Sequence, residues 1–403
     1  MPNYPSMTAE TVSRWSRAFV AAGVCWLVAG LAAILFAIPR RGVVVALLFG
    51  FVLHTVFGKA YSLVPTYFDR QISLTHAPAI QFPLTLAGTI LLALDGARIT
   101  DAQWFGQAGA GAWTLGVAIF LGTIGWTIRD NLSGAETATG DANADRRPVD
   151  RVANAFVPVA LLYLAVGSYA TLAGVTDFPV LVDGYPPRAS HLLAAGTGAL
   201  LVFAIGFRLL PRFLVASPPR RLVPVVLVAG AFGPAFVAFG LPSGPLLHAG
   251  AGLQTVAVVG FAVSYLALFA RSPRERVGFY AVLAGAVFGV IGVVLGFWMA
   301  VDVPAVAVST AHFRVNLLGF LGLTIIGVSY QFYPPTVGTF PGASNRTAGL
   351  AIGAIAAGLL AQVGGFLGEI EVAVTGGEAL ALLGGVVHAG LLLALFVERY
   401  GGR

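Results

Sequence analysis

The sequence contains few charged residues and a single cysteine. Charged residues make up 10% of the 403-residue chain, whereas a soluble domain carries about 25%. Because 58% of the chain is hydrophobic, it lacks the polar residues needed to cover a water-facing surface. Cys25 has no second cysteine to pair with, so an intrachain disulfide and a cysteine-based metal site are both excluded.

The scarcity of clustered basic residues and of buried acids disfavours three functional classes: nucleic-acid binding, proton pumping and ion-coupled transport. The net charge is +6, but no basic soluble domain and no basic stripe interleaved with aromatic residues is present, so no nucleic-acid partner is expected. The 17 Asp and Glu residues fall in predicted loops or near predicted helix ends. Because proton pumps and ion-coupled carriers usually need a buried acid, the absence of a carboxylate in the middle of an apolar run counts against both.

Long apolar runs are abundant. A helix that crosses the bilayer needs ~20 mostly apolar residues, and about twelve such runs follow one another with short connections. They cover residues 18–38, 43–65, 77–94, 108–128, 152–174, 189–210, 222–241, 246–270, 277–300, 308–333, 347–368 and 375–397. The pattern predicts an all-α integral membrane protein, a single polytopic domain over residues 1–403 in contact with the lipid bilayer.

The basic residues predict the orientation. With a cytoplasmic N-terminus, all but five of the 23 Lys and Arg residues lie on the inner side. The five on the outer side are Arg40, Arg41, Arg98, Arg188 and Arg314. The positive-inside rule therefore predicts a multi-pass protein of the plasma membrane with both termini cytoplasmic. The inner segment 129–151 is polar and has no apolar period, so we expect a mobile cytoplasmic linker.

An internal repeat is visible in the sequence. The pattern GF-x3-T-x2-G-x2-Y-x3-P occurs at residues 50–65 in the second run and at residues 319–334 in the tenth. The sixth run keeps Gly198 and Gly206 at the same spacing, followed by Pro211 two residues early. Three copies in helices 2, 6 and 10 indicate four-helix repeats at about 14–128, 151–271 and 276–399. The glycines allow close approach of a backbone or a flat ligand, or they serve helix packing alone.

Two histidines follow the repeat. His191 precedes Gly198 by seven residues, and His312 precedes Gly319 by seven. Seven residues are nearly two helical turns, so each histidine shares a face with its glycine near the outer helix end. Imidazole is the commonest metal ligand and often holds haem iron, so both are candidate ligands of haem or copper. The alternative is a pair of interfacial histidines bonded to water and headgroups.

Other candidate site residues are less well marked. His248 opens the eighth helix on the same outer side and is a third candidate metal ligand. His54 and His388 fall at mid-membrane depth, where ionisable residues are candidates for function. Arg314, two residues after His312, could pair with a haem propionate. Alternatively, its guanidinium reaches the outer headgroups.

The tenth helix, AHFRVNLLGFLGLTIIGVSYQFYPP, resembles that of haem-copper oxidase subunit I. That family has twelve helices in three four-helix arcs, with metal ligands on helices 2, 6, 7 and 10. The resemblance implies that His312 matches the axial ligand of the high-spin haem and that His191 lies on a helix that supplies a copper ligand. The sixth helix, HLLAAGTGALLVFAIGFRLLPR, is also similar to a helix of the NnrS-type membrane proteins of nitric oxide metabolism, which bind haem and copper.

The sequence departs from the oxidase pattern at several ligands. The second histidine of the tenth helix is replaced by Arg314, the sixth helix lacks the His-Pro-Glu-Val-Tyr motif and the seventh lacks a His pair. His54 lies further inward than the expected haem position. A proton-pumping terminal oxidase is therefore not expected.

Three functions are consistent with these features. The first is a haem protein, with or without copper, acting in electron transfer or O₂ or NO chemistry with an electron-donor protein or partner subunit. The second is a small-molecule transporter or channel built from degenerate repeats. The third is a relative of the oxidase fold that has lost its cofactors.

Overall fold

The computed structural model describes residues 7–99, 102–302 and 306–401, and this part of the chain is helical without strands. It contains twelve helices that are long and apolar enough to cross a membrane, which confirms the predicted fold class. They are α1 (Glu10–Leu35), α2 (Arg40–Tyr67), α3 (Ala77–Gly96), α4 (Trp104–Ile128), α5 (Asp141–Ala173), α6 (Pro186–Leu214), α7 (Leu222–Gly240), α8 (Pro245–Arg271), α9 (Val277–Val301), α10 (Val306–Val337), α11 (Asn345–Gly368) and α12 (Glu371–Tyr400).

The chain divides into two compact units whose boundaries fall inside α1 and α6. Unit 1 comprises Met1–Gly23 and Pro39–Ala204, and unit 2 comprises Val24–Ile38 and Ile205–Arg403. In unit 1, α3 packs on α4, and α5 packs on both α4 and α6. In unit 2, α7 pairs with α8 and α11 with α12, and α9 packs against α8 and α10. The division of the sequence into three four-helix repeats stays a prediction.

The helices α2, α6 and α10 each contain a long π-helical segment with one extra residue per hydrogen-bonded turn. The segments are Val45–Leu53, Leu192–Ala199 and Val315–Leu323. Each contains the first glycine of its repeat copy, namely Gly50, Gly198 or Gly319. Because π-helices are rare and occur mostly as single turns, often at functional sites, three in matching positions show that the sequence repeat has a counterpart in backbone structure.

The first and third copies also share a helix contact. A Cβ added to Gly23 of α1 would lie 2.6 Å from Thr55 Oγ1 of α2. A Cβ added to Gly285 of α9 would lie 2.5 Å from Thr324 Oγ1 of α10. Thr55 and Thr324 occupy the same position of the repeat pattern, so α1 packs on α2 as α9 packs on α10.

A second contact in the same helix pairs supports this equivalence. The repeat glycine Gly58 approaches the carbonyl oxygen of Ser16, from which an added Cβ would be 2.7 Å distant. The matching Gly327 approaches the carbonyl oxygen of Gly278. Ser16 and Gly278 each precede the glycine of the first contact by seven residues. The two helix pairs therefore meet in the same register over two turns.

The polar segment 129–151 makes side-chain hydrogen bonds and ion pairs within itself and to the residues that follow α2, and its mobility stays a prediction. The Asn131 side-chain amide donates to the carbonyl oxygens of Phe68 (3.0 Å) and Glu136 (2.9 Å). Arg70 forms ion pairs with Asp130 (2.9 Å) and Glu136 (2.6 Å). Its hydrogen bond holds the pKa of the Asp130 carboxyl below the ordinary value. These contacts of the segment are all made by polar side chains.

Candidate functional site

His312 of α10 lies against the neighbouring helix α9. Its Nδ1 is 2.9 Å from the Gly292 carbonyl oxygen, and a Cβ added to Gly296 would lie 2.8 Å from Cε1 of the ring. Because a carbonyl oxygen only accepts, Nδ1 carries the proton and Nε2 is the basic nitrogen. A hydrogen bond from the second ring nitrogen to a carbonyl is also how metal-ligating histidines are commonly oriented.

His191 has a related but local arrangement at the start of α6. It is half-buried, and its Nδ1 donates to the Pro187 carbonyl oxygen at 2.7 Å, so Nε2 is again the basic nitrogen. The helix start is fixed by Arg188, which binds Asp183 through two hydrogen bonds of 2.6 and 2.7 Å. This pairing holds the pKa of the Asp183 carboxyl well below its usual range.

His54 of α2 is completely buried among aromatic rings. Its ring centroid lies 5.8 Å from that of Phe19 and 6.2 Å from that of Trp113. Nδ1 donates to the Phe49 carbonyl oxygen at 2.8 Å, and within the described residues Nε2 has no hydrogen-bond partner. The close aromatic packing explains how an imidazole is accommodated at this depth.

The other two candidate histidines, His388 and His248, differ in their surroundings. His388 of α12 is buried, and its Nδ1 is hydrogen-bonded to the Tyr330 hydroxyl of α10 at 2.8 Å. Tyr330 is the tyrosine of the repeat pattern. Its counterpart Tyr61 donates to the side-chain oxygen of Gln81 at 2.6 Å. His248 is exposed in the first turn of α8.

Arg314 belongs to a buried polar cluster that also contains Gln362, Phe366 and Glu378, called here the Arg314 cluster. Its Nη1 donates to the Glu378 carboxylate at 2.6 Å and to Gln362 Oε1 at 2.9 Å. Its guanidinium carbon lies 5.0 Å from the centre of the Phe366 ring. Glu378 is in the third turn of α12, further into its helix than the position near a helix end that the sequence predicts.

The two repeat glycines predicted near the cofactor are both buried. A Cβ added to Gly319 would lie 2.6 Å from Phe288 Cβ, so this face of α10 is occupied by α9. Gly198 is buried within the π-helical segment of α6. Gly319 therefore allows α10 to pack closely on α9. This is the helix-packing role that the sequence analysis gave as one of two alternatives.

The described residues hold no group of three or more His, Cys, Asp or Glu side chains arranged to bind a metal ion. The partners that sequence reasoning missed are Glu378, Gln362 and the glycines Gly292 and Gly296. The sequence did contain a signal for the two glycines. Gly292 and Gly296 are four residues apart, so both lie on one face of α9 and leave room there for a neighbouring side chain. No protein-family model matches the sequence, and no curated protein matches it.

Proposed function

We propose that this chain is an integral membrane haem-binding protein in which His312 supplies an iron ligand. The observation that carries the proposal is the hydrogen bond from His312 Nδ1 to the Gly292 carbonyl oxygen, with the ring seated on α9 at Gly296. This bond fixes the ring and makes Nε2 the ligating nitrogen. The same tautomer at His191, the equivalent repeat position, supports the choice of His312.

The surrounding residues support a haem ligand at His312 but neither a propionate contact at Arg314 nor a copper site. His312 suits an axial imidazole ligand, whereas Arg314 already binds Glu378 and is therefore not assigned to a haem propionate. Copper is left out because the described residues offer no three-ligand group. A bound haem would supply one-electron transfer or an open position for O₂ or NO, and an electron-donor protein or partner subunit would be needed for turnover.

The test is an absorption spectrum of the full chain, purified in detergent after expression with ample haem supply. A Soret band, with α and β bands after dithionite reduction and stoichiometric haem content, is expected. His312→Ala should lose the band, whereas His248→Ala, at the exposed start of α8, should keep it. A colourless wild-type protein would overturn the proposal and favour a cofactor-free relative of the fold.

A small-molecule transporter is the second candidate because Glu378 is a buried carboxylate inside a membrane helix. Intramembrane ionisable residues often line substrate or ion pathways, so the sequence argument against transport is weakened. Solute flux into liposomes containing the purified chain, lost in Glu378→Gln, would support this function over the haem proposal.

A further inference from the structure

The Arg314 cluster has hydrogen-bond donors that no described residue accepts. Nε of Arg314 and Nε2 of Gln362 are both buried and unpartnered within the described chain. Gln362 is only 1% exposed, so bulk water does not satisfy its amide. Leaving buried donors unpaired is costly, and two in one cluster indicate that an acceptor atom is missing.

The orientation of the Gln362 amide follows from its neighbour. A guanidinium can only donate, so the amide atom 2.9 Å from Arg314 Nη1 must be the oxygen. The amide nitrogen Nε2 of Gln362 is bonded to the same carbon as Oε1. It therefore points away from Arg314 Nη1 but still lies within the cluster. The two unpartnered donors thus belong to side chains that are directly hydrogen-bonded to each other.

The charge of the cluster selects the class of ligand. Arg314 and Glu378 form an ion pair of 2.6 Å with side chains only 12% and 11% exposed. Since their charges already cancel, an added anion would bring an uncompensated charge into a buried site, which is strongly unfavourable. A neutral molecule with an acceptor oxygen would satisfy the donors without that penalty.

The position of the cluster indicates where the ligand comes from. Gln362 and Glu378 lie inside α11 and α12, whose other faces carry exposed apolar side chains such as Leu360, Leu367 and Leu383. In a membrane helix such side chains contact lipid. We propose that the Arg314 cluster binds the carbonyl oxygen of a neutral molecule dissolved in the bilayer, a site independent of the haem proposal.

Two probes distinguish the sources of such a carbonyl. The first is a decyl-chain benzoquinone bearing a photoreactive azide, added to the full chain in nanodiscs, with cross-links mapped by mass spectrometry. The second is a diester phospholipid compared with its diether analogue, with retention on the chain measured by native mass spectrometry. Cross-links in α11 and α12, or preferential retention of the ester lipid, are the expected results.

The variant Gln362→Leu should weaken binding of the probe that succeeds by about tenfold, as expected for loss of one hydrogen bond. Gln254→Leu is the matched control, because Gln254 of α8 also has an unpartnered side-chain amide in unit 2 but lies outside the cluster. If Gln362→Leu does not fold, the ¹⁵N–¹H signal of Arg314 Nε in the wild-type chain should shift when the probe is added.

Absence of binding by both probes, or equal binding by both glutamine variants, would overturn the proposal. Neither readout depends on haem.

Discussion

At the scale of single residues, His54 has a structural explanation. The π-helical segment of α2 ends at Leu53, and the side chain of His54 donates to the Phe49 carbonyl oxygen five residues back. The sequence predicted that His54 lies at mid-membrane depth, but it did not predict the hydrogen bond to the Phe49 carbonyl oxygen.

Replacement of His54 by phenylalanine tests this role. His54→Phe keeps an aromatic ring among Phe19 and Trp113 but removes the hydrogen bond from Nδ1 to the Phe49 carbonyl oxygen, so we expect destabilisation of about 0.5–1.5 kcal/mol. The measurement is unfolding of the purified chain by titration with a denaturing detergent. His76→Phe, in the exposed loop before α3, serves as the control. Equal stability of the two variants would contradict the assigned role.

Glu378 shows why the sequence missed a buried carboxylate. The apolar run predicts a helix from residue 375, which would place Glu378 in the first turn, near water. In the structure α12 begins at Glu371, four residues before the predicted start, so Glu378 lies in its third turn. The additional turn places Glu378 within reach of Arg314 on α10, so the acid and the base stabilise each other's burial.

We expect this ion pair to be strongly coupled. Glu378→Leu leaves the Arg314 charge buried without a counter-ion, which costs about 3–5 kcal/mol. The double variant Arg314→Met, Glu378→Leu removes both charges and should recover to within about 1 kcal/mol of the wild type. A double-mutant cycle by detergent-induced unfolding measures both effects. Additive losses would show that the two side chains do not form the buried pair.

At the scale of elements, the twelve helices were predictable and the π-helical segments were not. Helix number follows from run length, since lipid requires every backbone group to be paired within the segment. Hydrogen-bond register inside a helix has no such signal, because it responds to packing by neighbouring helices. The repeat glycines marked the three affected helices, although the sequence suggested a ligand face at Gly319, which Phe288 occupies.

The equivalence of the α1–α2 and α9–α10 contacts predicts matched effects of substitution. Gly23→Ala and Gly285→Ala each place a methyl group against a threonine hydroxyl of the next helix, and we expect each to cost about 1–3 kcal/mol. Gly111→Ala and Gly390→Ala are controls, because an added Cβ there meets no atom within 4 Å. Thermal unfolding in detergent should show similar losses for the first two variants. A neutral result for either would argue against close packing at that contact.

At the scale of the whole molecule, several arginines of the predicted outer side have carboxylate partners. Arg41 binds Asp95 at 2.9 Å, Arg188 binds Asp183 and Arg314 binds Glu378. These pairs offset positive charge on the side that the positive-inside rule expects to be poor in it. The sequence predicted the residues on each side, but their pairing depends on the turns and helix starts that bring the charges together.

The orientation itself predicts a labelling pattern. Starting from Cys25→Ala, which removes the only cysteine, Ser133→Cys probes the loop after α4 and Ser243→Cys probes the loop after α7. Both serines are exposed. With cytoplasmic termini, a membrane-impermeant maleimide should label Ser243→Cys in intact cells and Ser133→Cys only in inverted vesicles. The cysteine-free chain controls for background, and the opposite pattern would reverse the topology. Such a reversal would also place His191, His312 and the Arg314 cluster toward the cytoplasm, so that a redox partner would have to approach from that side.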